Sequence, residues 1–455
     1  MQKSNLIYNI QDKPPFGKTL IFALQQLLAI MAATIAVPAI IGNGMSPAAA
    51  LFGAGAGTLI YLLFTKFKSP VFLGSSFAFL GSMGAAFAGA ATVEVGYLGL
   101  IIGAIFAGLV YVVISLVVKY AGTGWINKIM PPQVIGPTVA IIGLSLSGNA
   151  IGDLFKGGVQ VDGASVCNPY VALVCGLVTL VVVIVCSLYG KKMVSMIPFI
   201  IGILAGYLVA TIFTVIGLAT ENTSLQIVDF AKFQNIQWYP DFAIIKAIGG
   251  FKQIDGAYIG TVAVAYVPVA FVVFAEHIAD HKNLSTVIGH DLITDPGLNR
   301  TLLGDGVGSM VGAFFGGCPN TTYGESVGCV AISKNASVIT IVYTAVMAIL
   351  ISFVGPFSTF LATIPNCVMG GVCVALYGFI AVSGLKMVQK VDLQDNRNLF
   401  VVSTILIAGV GGMKLTFGKV TITSVACALI LGILVNIICH AGDKKSAQTE
   451  EPKTE

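Results

Sequence analysis

The sequence predicts an all-α polytopic membrane protein of fourteen transmembrane segments, arranged as two inverted repeats of seven. Three observations lead there. Only 10% of the 455 residues are charged and 56% are hydrophobic, where a soluble globular chain is about a quarter charged. Mean hydropathy is +0.93, and the apolar residues arrive in runs of roughly 17 to 25, the length that spans a hydrocarbon core. Two of the runs are Gly-rich and carry polar residues, and they occupy the third and the tenth places.

In chain order the segments are expected near 19–41, 47–65, 70–90, 95–118, 133–150, 169–190, 196–217, 257–281, 301–316, 320–333, 337–356, 366–385, 398–413 and 420–440. The first follows Lys3, Lys13 and Lys18 but is long and lacks a clear cleavage site, so it reads as a transmembrane helix rather than a secretory signal. An even count leaves both termini on one side. With the N-terminus inside, Lys and Arg divide eighteen to six in favour of the inner loops and tails, as the positive-inside rule requires. The longest connection, 218–256, carries Trp238 and Tyr239, which suit an outer interface, and it separates seven segments from seven. The last residues, 441–455, are polar and read as a disordered cytoplasmic end. The nine Cys form no CxxC pair and, Cys167 apart, sit in apolar segments as small core residues.

Repetition shows at the third and tenth segments. Aligned without a gap, GSSFAF at 74–79 meets NTTYGE at 320–325: two hydroxyl residues, an aromatic and a small residue recur in order. Seven is odd, so the second copy runs the opposite way through the bilayer, the arrangement that places a ligand at mid-depth between broken helices. Irregular backbone survives there only where protein or a water-filled cavity covers it. Both segments are therefore expected to be half-helices with short extended pieces.

The acids expected at membrane depth are Glu276, Asp280 and Glu325, with His277 and His281 beside the first two. A charged group there is costly and is a functional candidate by default. Glu276 and Asp280 share a helix face, four residues apart; His277 and His281 form a second such pair. The acids could line a substrate cavity, with Asp280 or a histidine handling a proton; alternatively the histidines could hold a metal, although no partner ligands are evident. At the tenth segment, a half-helix end offers unpaired N–H groups and a positive dipole. Thr321 and Thr322 could cap it, and Gly324 allows close approach to the backbone. The donors recur around Ser76 and Phe77. Backbone donors, two carboxylate acceptors (Glu276 and Glu325) and flanking aromatics suit a small neutral heterocycle with alternating C=O and N–H groups, such as uracil.

These residues resemble the nucleobase–ascorbate transporters (nucleobase:cation symporter-2), and within them the uracil permeases. The resemblance rests on LQQLLAIMAATIAVP at 24–38, FLGSSFAF at 72–79, AGTGWINKIMPP at 121–132, AEHIAD at 275–280, DPGLNRTLLGDG at 295–306 and NTTYGES at 320–326. It implies a proton-coupled uracil symporter in the cell membrane, with no enzymatic activity, no cofactor beyond the coupling proton, no metal and no nucleic-acid partner. It further implies a core domain (19–118 and 257–356) that moves against a dimer-forming gate domain (119–217 and 357–440), with 1–18 and 441–455 as cytoplasmic tails and 218–256 as an extracellular connector. By the same resemblance Glu276 and Glu325 bind substrate, Phe77 and Gly324 offer backbone N–H groups and Tyr323 flanks the base. From the residues themselves, Ser76 is expected at the substrate beside Phe77, and Glu276, Asp280 and His281 are expected to handle the proton. Three positions depart from the pattern. Asp280 stands where many uracil permeases have His, Gln26 where His is common, and Ser326 where Asn is common. A xanthine or urate permease is the alternative within the family, and an intramembrane metal-binding protein a remote one outside it.

Overall fold

The computed structural model describes residues 6–440 except 123, 127–129, 162–163, 192–193, 196 and 418–419. The expected tail 441–455 lies outside the described residues. In chain order the main elements are α1 (Phe16–Ile41), α2 (Pro47–Phe64), β1 (Leu73–Ser75), α3 (Leu80–Ala88), α4 (Val93–Ala121), α5 (Pro132–Ser145) and α6 (Ser147–Asp153). Then follow β2 (Gln160–Val161), β3 (Ala164–Ser165), α7 (Pro169–Tyr189), α8 (Pro198–Ala219), α9 (Ala243–Ala247), α10 (Gly256–Ile288), α11 (Leu298–Gly316), β4 (Asn320–Thr322) and α12 (Gly324–Ser333). The chain ends with α13 (Val338–Ser352), α14 (Gly355–Thr363), α15 (Asn366–Val388), α16 (Asn396–Val410), β5 (Leu415–Phe417), β6 (Val420–Ile422) and α17 (Ser424–His440).

The helix limits follow local chemistry. Ser46 caps α2 by accepting from the Ala49 amide at 3.2 Å, with Pro47 at the first position. Asp255 caps α10 by accepting from the Tyr258 amide at 2.6 Å, and Gly289, left-handed at φ 68°, ends that helix. Among the described residues eight helices are long and apolar enough to cross a membrane, or nine if the bent pair α13–α14 is one span. That pair corrects the eleventh expected segment. Helix α13 stops at Ser352 and the chain turns by 84° into α14, which the sequence had not announced.

Two groups of helices pack mainly among themselves: α1, α2, α4, α10, α11 and α13 in one, and α5, α7, α8, α15, α16 and α17 in the other. In lipid the close approach of backbones is a main source of helix attraction, and it needs small residues. A Cβ on Gly53 of α2 would lie 2.5 Å from the Gly312 carbonyl of α11, and one on Gly57 would lie 2.5 Å from that of Gly308. Glycine is what lets α2 and α11 touch.

That contact seats the strands. β1 and β4 pair antiparallel, Leu73 opposite Thr322 and Ser75 opposite Asn320, and all six residues are buried. Thr58 of α2 completes β1 from the side, its Oγ1 accepting from the Leu73 amide at 2.9 Å and donating to its carbonyl at 3.3 Å. Asn320 donates through Nδ2 to the Gly53 carbonyl at 3.0 Å. The buried backbone polar groups are thereby paired by protein, the condition for non-helical chain at this depth.

The 218–256 connection is not a slack linker. Lys246 donates to the Gly44 carbonyl at 2.5 Å and pairs with Asp241 at 2.5 Å. Phe242 packs edge-on against Phe52 and Phe315. Further back, the Gly158 amide donates to the Ile227 carbonyl at 2.7 Å. The segment thus rests on both helix groups.

Candidate functional site

Both broken segments end at one cavity. It measures about 330 Å³, within the size range of small-molecule sites. From α10 it receives Glu276, Ala279 and Asp280; from the β4–α12 junction Thr321, Tyr323, Gly324 and Glu325; from the turn before α3 Phe77 and Ala78. The opposite wall comes from α5 (Val139, Ile142), α8 (Phe199) and α15 (Phe379, Ile380, Ser383, Met387). The cavity therefore lies between the two helix groups.

Six sequence-predicted residues meet here: Glu276, Asp280, Glu325, Phe77, Tyr323 and Gly324. The i, i+4 spacing on α10 does place both its acids toward one space. Three carboxyl groups line the cavity and none of its lining residues carries a positive charge. Neither half-helix has a side-chain cap at its start; at α3 the first amide, that of Leu80, donates instead to the Phe77 carbonyl at 3.1 Å.

Two predicted residues lie elsewhere. Ser76 is buried but does not line the cavity; its amide donates to the Pro319 carbonyl at 2.9 Å. His281 is fully buried on the far side of α10. Its Nε2 meets the Tyr61 hydroxyl at 2.8 Å and its Nδ1 the His277 carbonyl at 2.8 Å. The expected capping by Thr321 and Thr322 is not what forms: Thr322 Oγ1 donates to Asp280 Oδ2 at 2.7 Å, and Thr321 faces the cavity.

The histidine pair has its own partners. His277 Nδ1 lies 2.6 Å from Asp305 Oδ2 and its Nε2 lies 3.0 Å from Thr301 Oγ1. Both nitrogens of both rings are thus engaged, and among the described residues no cluster of three or more His, Cys, Asp or Glu is arranged around a metal position. Asp305, 1% exposed on α11, is a buried acid the sequence reading missed. Its signal was available, since it lies inside the expected span 301–316, within DPGLNRTLLGDG.

The residues on either side of Glu325 are tied to neighbouring elements. Tyr323 donates to the Ser75 carbonyl at 2.5 Å, tying the start of α12 to β1. Ser326, next to Glu325, accepts from Gln26 Nε2 at 2.6 Å and from the Phe72 amide at 3.2 Å. Gln26 and Ser326, two of the three departures from the family pattern, therefore touch each other.

The model of the family described as "Permease family", for xanthine and uracil permeases, matches residues 17–418. This chain belongs to that family, the nucleobase–ascorbate transporters. It is 40% identical to the uracil permease of Bacillus caldolyticus, over 95% of this chain and 94% of that one. The uracil permease of Bacillus subtilis (strain 168) is 38% identical, with 99% of each chain covered. That of Escherichia coli (strain K12) is 34% identical, over 94% of this chain and 93% of that one. Among solved structures, the transmembrane domain of the cyanobacterial bicarbonate transporter BicA aligns with a TM-score of 0.62 at 16% identity, covering 95% of this chain and 100% of that one. Murine Slc26a9, an anion transporter in an inward-facing state, aligns at 0.64 and 12% identity, over 95% and 69%. At such identities these two speak for the fold alone. The family member is a multi-pass membrane permease and not an enzyme.

Proposed function

We propose that the chain is a uracil permease that carries the base together with a proton. The observation that carries this reading is the convergence of Glu276 and Glu325 on one cavity, beside the starts of both half-helices. Uracil presents two N–H groups and two C=O groups around one side of a flat ring. The carboxylates accept from the N–H groups, and the amides at Phe77 and Gly324 donate to the carbonyls. Phe77 and Tyr323 flank the ring. The printed names of the full-length relatives support the same substrate.

A proton is the counter-charge that three carboxyl groups in one cavity lack. We place it on Glu276 and Asp280, which line that cavity, whereas His281 is held by Tyr61 away from it and serves to fix the rotation of α10. Alternating access would follow from movement of the group containing α1–α4 and α10–α13 against the group containing α5, α7, α8 and α15–α17. The separate packing of those groups supports that division, and with it the fourteen-segment inverted topology. The charge asymmetry supports cytoplasmic termini. Pairing of two copies through the second group belongs to the same proposal.

The test is uptake of radiolabelled uracil into membrane vesicles under an imposed pH gradient, with unlabelled xanthine as competitor. Uptake should follow the inward proton gradient, collapse with an uncoupler and ignore xanthine. Gradient-independent uptake would end the proton reading. Competition by xanthine at equal concentration would transfer the chain to the purine branch.

A further inference from the structure

The two sides of the cavity differ in chemistry. Every acid lining it comes from α10 or α12, and the first residue of α12 and the turn before α3 lie on that same side. The facing wall, from α5, α8 and α15, presents Val139, Ile142, Phe199, Phe379, Ile380 and Met387, with Ser383 its single hydroxyl. Uracil divides in the same way. N1–H, C2=O, N3–H and C4=O run consecutively around the ring, which leaves C5 and C6 as its only carbon-bound edge.

A buried polar group left without a partner is penalised heavily, and an apolar edge has no use for a carboxylate. The polar run therefore belongs against α10 and α12. We infer that the C5–C6 edge of the bound pyrimidine faces the apolar wall, and that Ile142, Val139 and Phe379 set which substituents at C5 are accepted. The inference rests on the pyrimidine reading and adds to it a division of labour. The acid side selects for the heterocycle, and the facing wall selects among its ring-substituted relatives. Because that wall belongs to the other helix group, a substituent too large for it obstructs the approach of the two groups as well as binding.

The experiment is competition against labelled uracil on detergent-purified full-length protein. The competitors are unlabelled uracil, 5-methyluracil, 5-bromouracil, 5-propyluracil and 1-methyluracil. The readout is each competitor's affinity relative to that of uracil in the same variant. In the wild type the relative affinity should fall as the C5 group grows, and 1-methyluracil should fail because an N–H is lost. Ile142→Ala and Phe379→Leu should raise the relative affinity of the larger C5 series about tenfold, the low end of what one methylene decides in a pocket. Val139→Ile should lower it, and none of the three should rescue 1-methyluracil. Relative affinities that do not respond to all three variants would overturn the inference, as would rescue of the N1 compound in place of the C5 series. Failure of the wild type to bind uracil at all would instead overturn the pyrimidine reading, so the two failures are distinct.

Discussion

Gly324→Ala separates folding from binding. Gly324 is the first residue of α12, its φ is not among the positive ones, and a Cβ built there meets nothing within 4 Å. Alanine is preferred to glycine in a helix interior by roughly 0.5–1 kcal/mol, and by less in the first turn. The variant should therefore be at least as stable as the wild type. Yet the open space around that position is the cavity itself. A methyl group there stands between the helix's first amides and the ring. Loss of one hydrogen bond costs about 0.5–1.5 kcal/mol, so uracil affinity should drop roughly two- to twelvefold. The assay is paired: melting temperature and equilibrium uracil binding on one detergent-purified preparation. Unchanged affinity would show that no ligand approaches this helix end, and the site would have to be redrawn. A lower melting temperature would show that the space is not open.

Glu276→Gln replaces an acceptor with an amide that also donates, and an unmatched buried donor costs about 1–3 kcal/mol; uracil binding by the purified variant should weaken about five- to 150-fold. Lys68 pairs with Asp295 at 2.8 Å and holds that carboxyl below its ordinary range. A depressed carboxyl contributes stability above its ordinary value and loses it as pH falls through the folded one. The difference in melting temperature between wild type and Lys68→Met should therefore stay constant between about pH 6 and 8 and vanish only below about pH 4. Both side chains are nearly half exposed, so that difference at neutral pH should not exceed about 1 kcal/mol. Gly53→Ala pushes a methyl to within 2.5 Å of the Gly312 carbonyl; overpacking of this kind costs about 1–3 kcal/mol, visible as a lower melting temperature.

Much of this was legible because the bilayer leaves few options. A carboxylate inside an apolar run is conspicuous, so Glu276, Asp280 and Glu325 could be named and then found around one cavity. Helical spacing told which two shared a face. Asp305 escaped although its segment was expected to span the membrane, because LNRTLLGDGVGSMVGAFFG is Gly-rich and polar at its start and a carboxylate stands out there less than in a wholly apolar run. His281 was grouped with the acids because adjacency in sequence suggests adjacency in space. On α10 it is one residue past Asp280, about 100° around the helix, and that rotation delivers it to Tyr61 instead. Capping by Thr322 failed for a related reason: the hydroxyl found a stronger acceptor, Asp280, on another helix, and short-range sequence contains no trace of that partner.

The comparison of the two broken segments shows where likeness of side chains misleads. Matching hydroxyl to hydroxyl set Ser75 against Thr321 and left Phe79 opposite Glu325. The strands sit one residue differently: β1 begins at Leu73 and β4 at Asn320, which sets Ser75 against Thr322, Phe77 against Gly324 and Ala78 against Glu325. Phe and Gly share no side-chain chemistry, so no residue-by-residue scan would align them. What they share is a place on the lining of one cavity, Gly324 as the first residue of α12 and Phe77 in the turn three residues before α3. Equivalence set by the offset of the preceding strands does not need like side chains, which remain free to diverge. That freedom leaves Glu325 on one broken segment where the other presents Ala78, so the two segments bring unlike chemistry to one cavity.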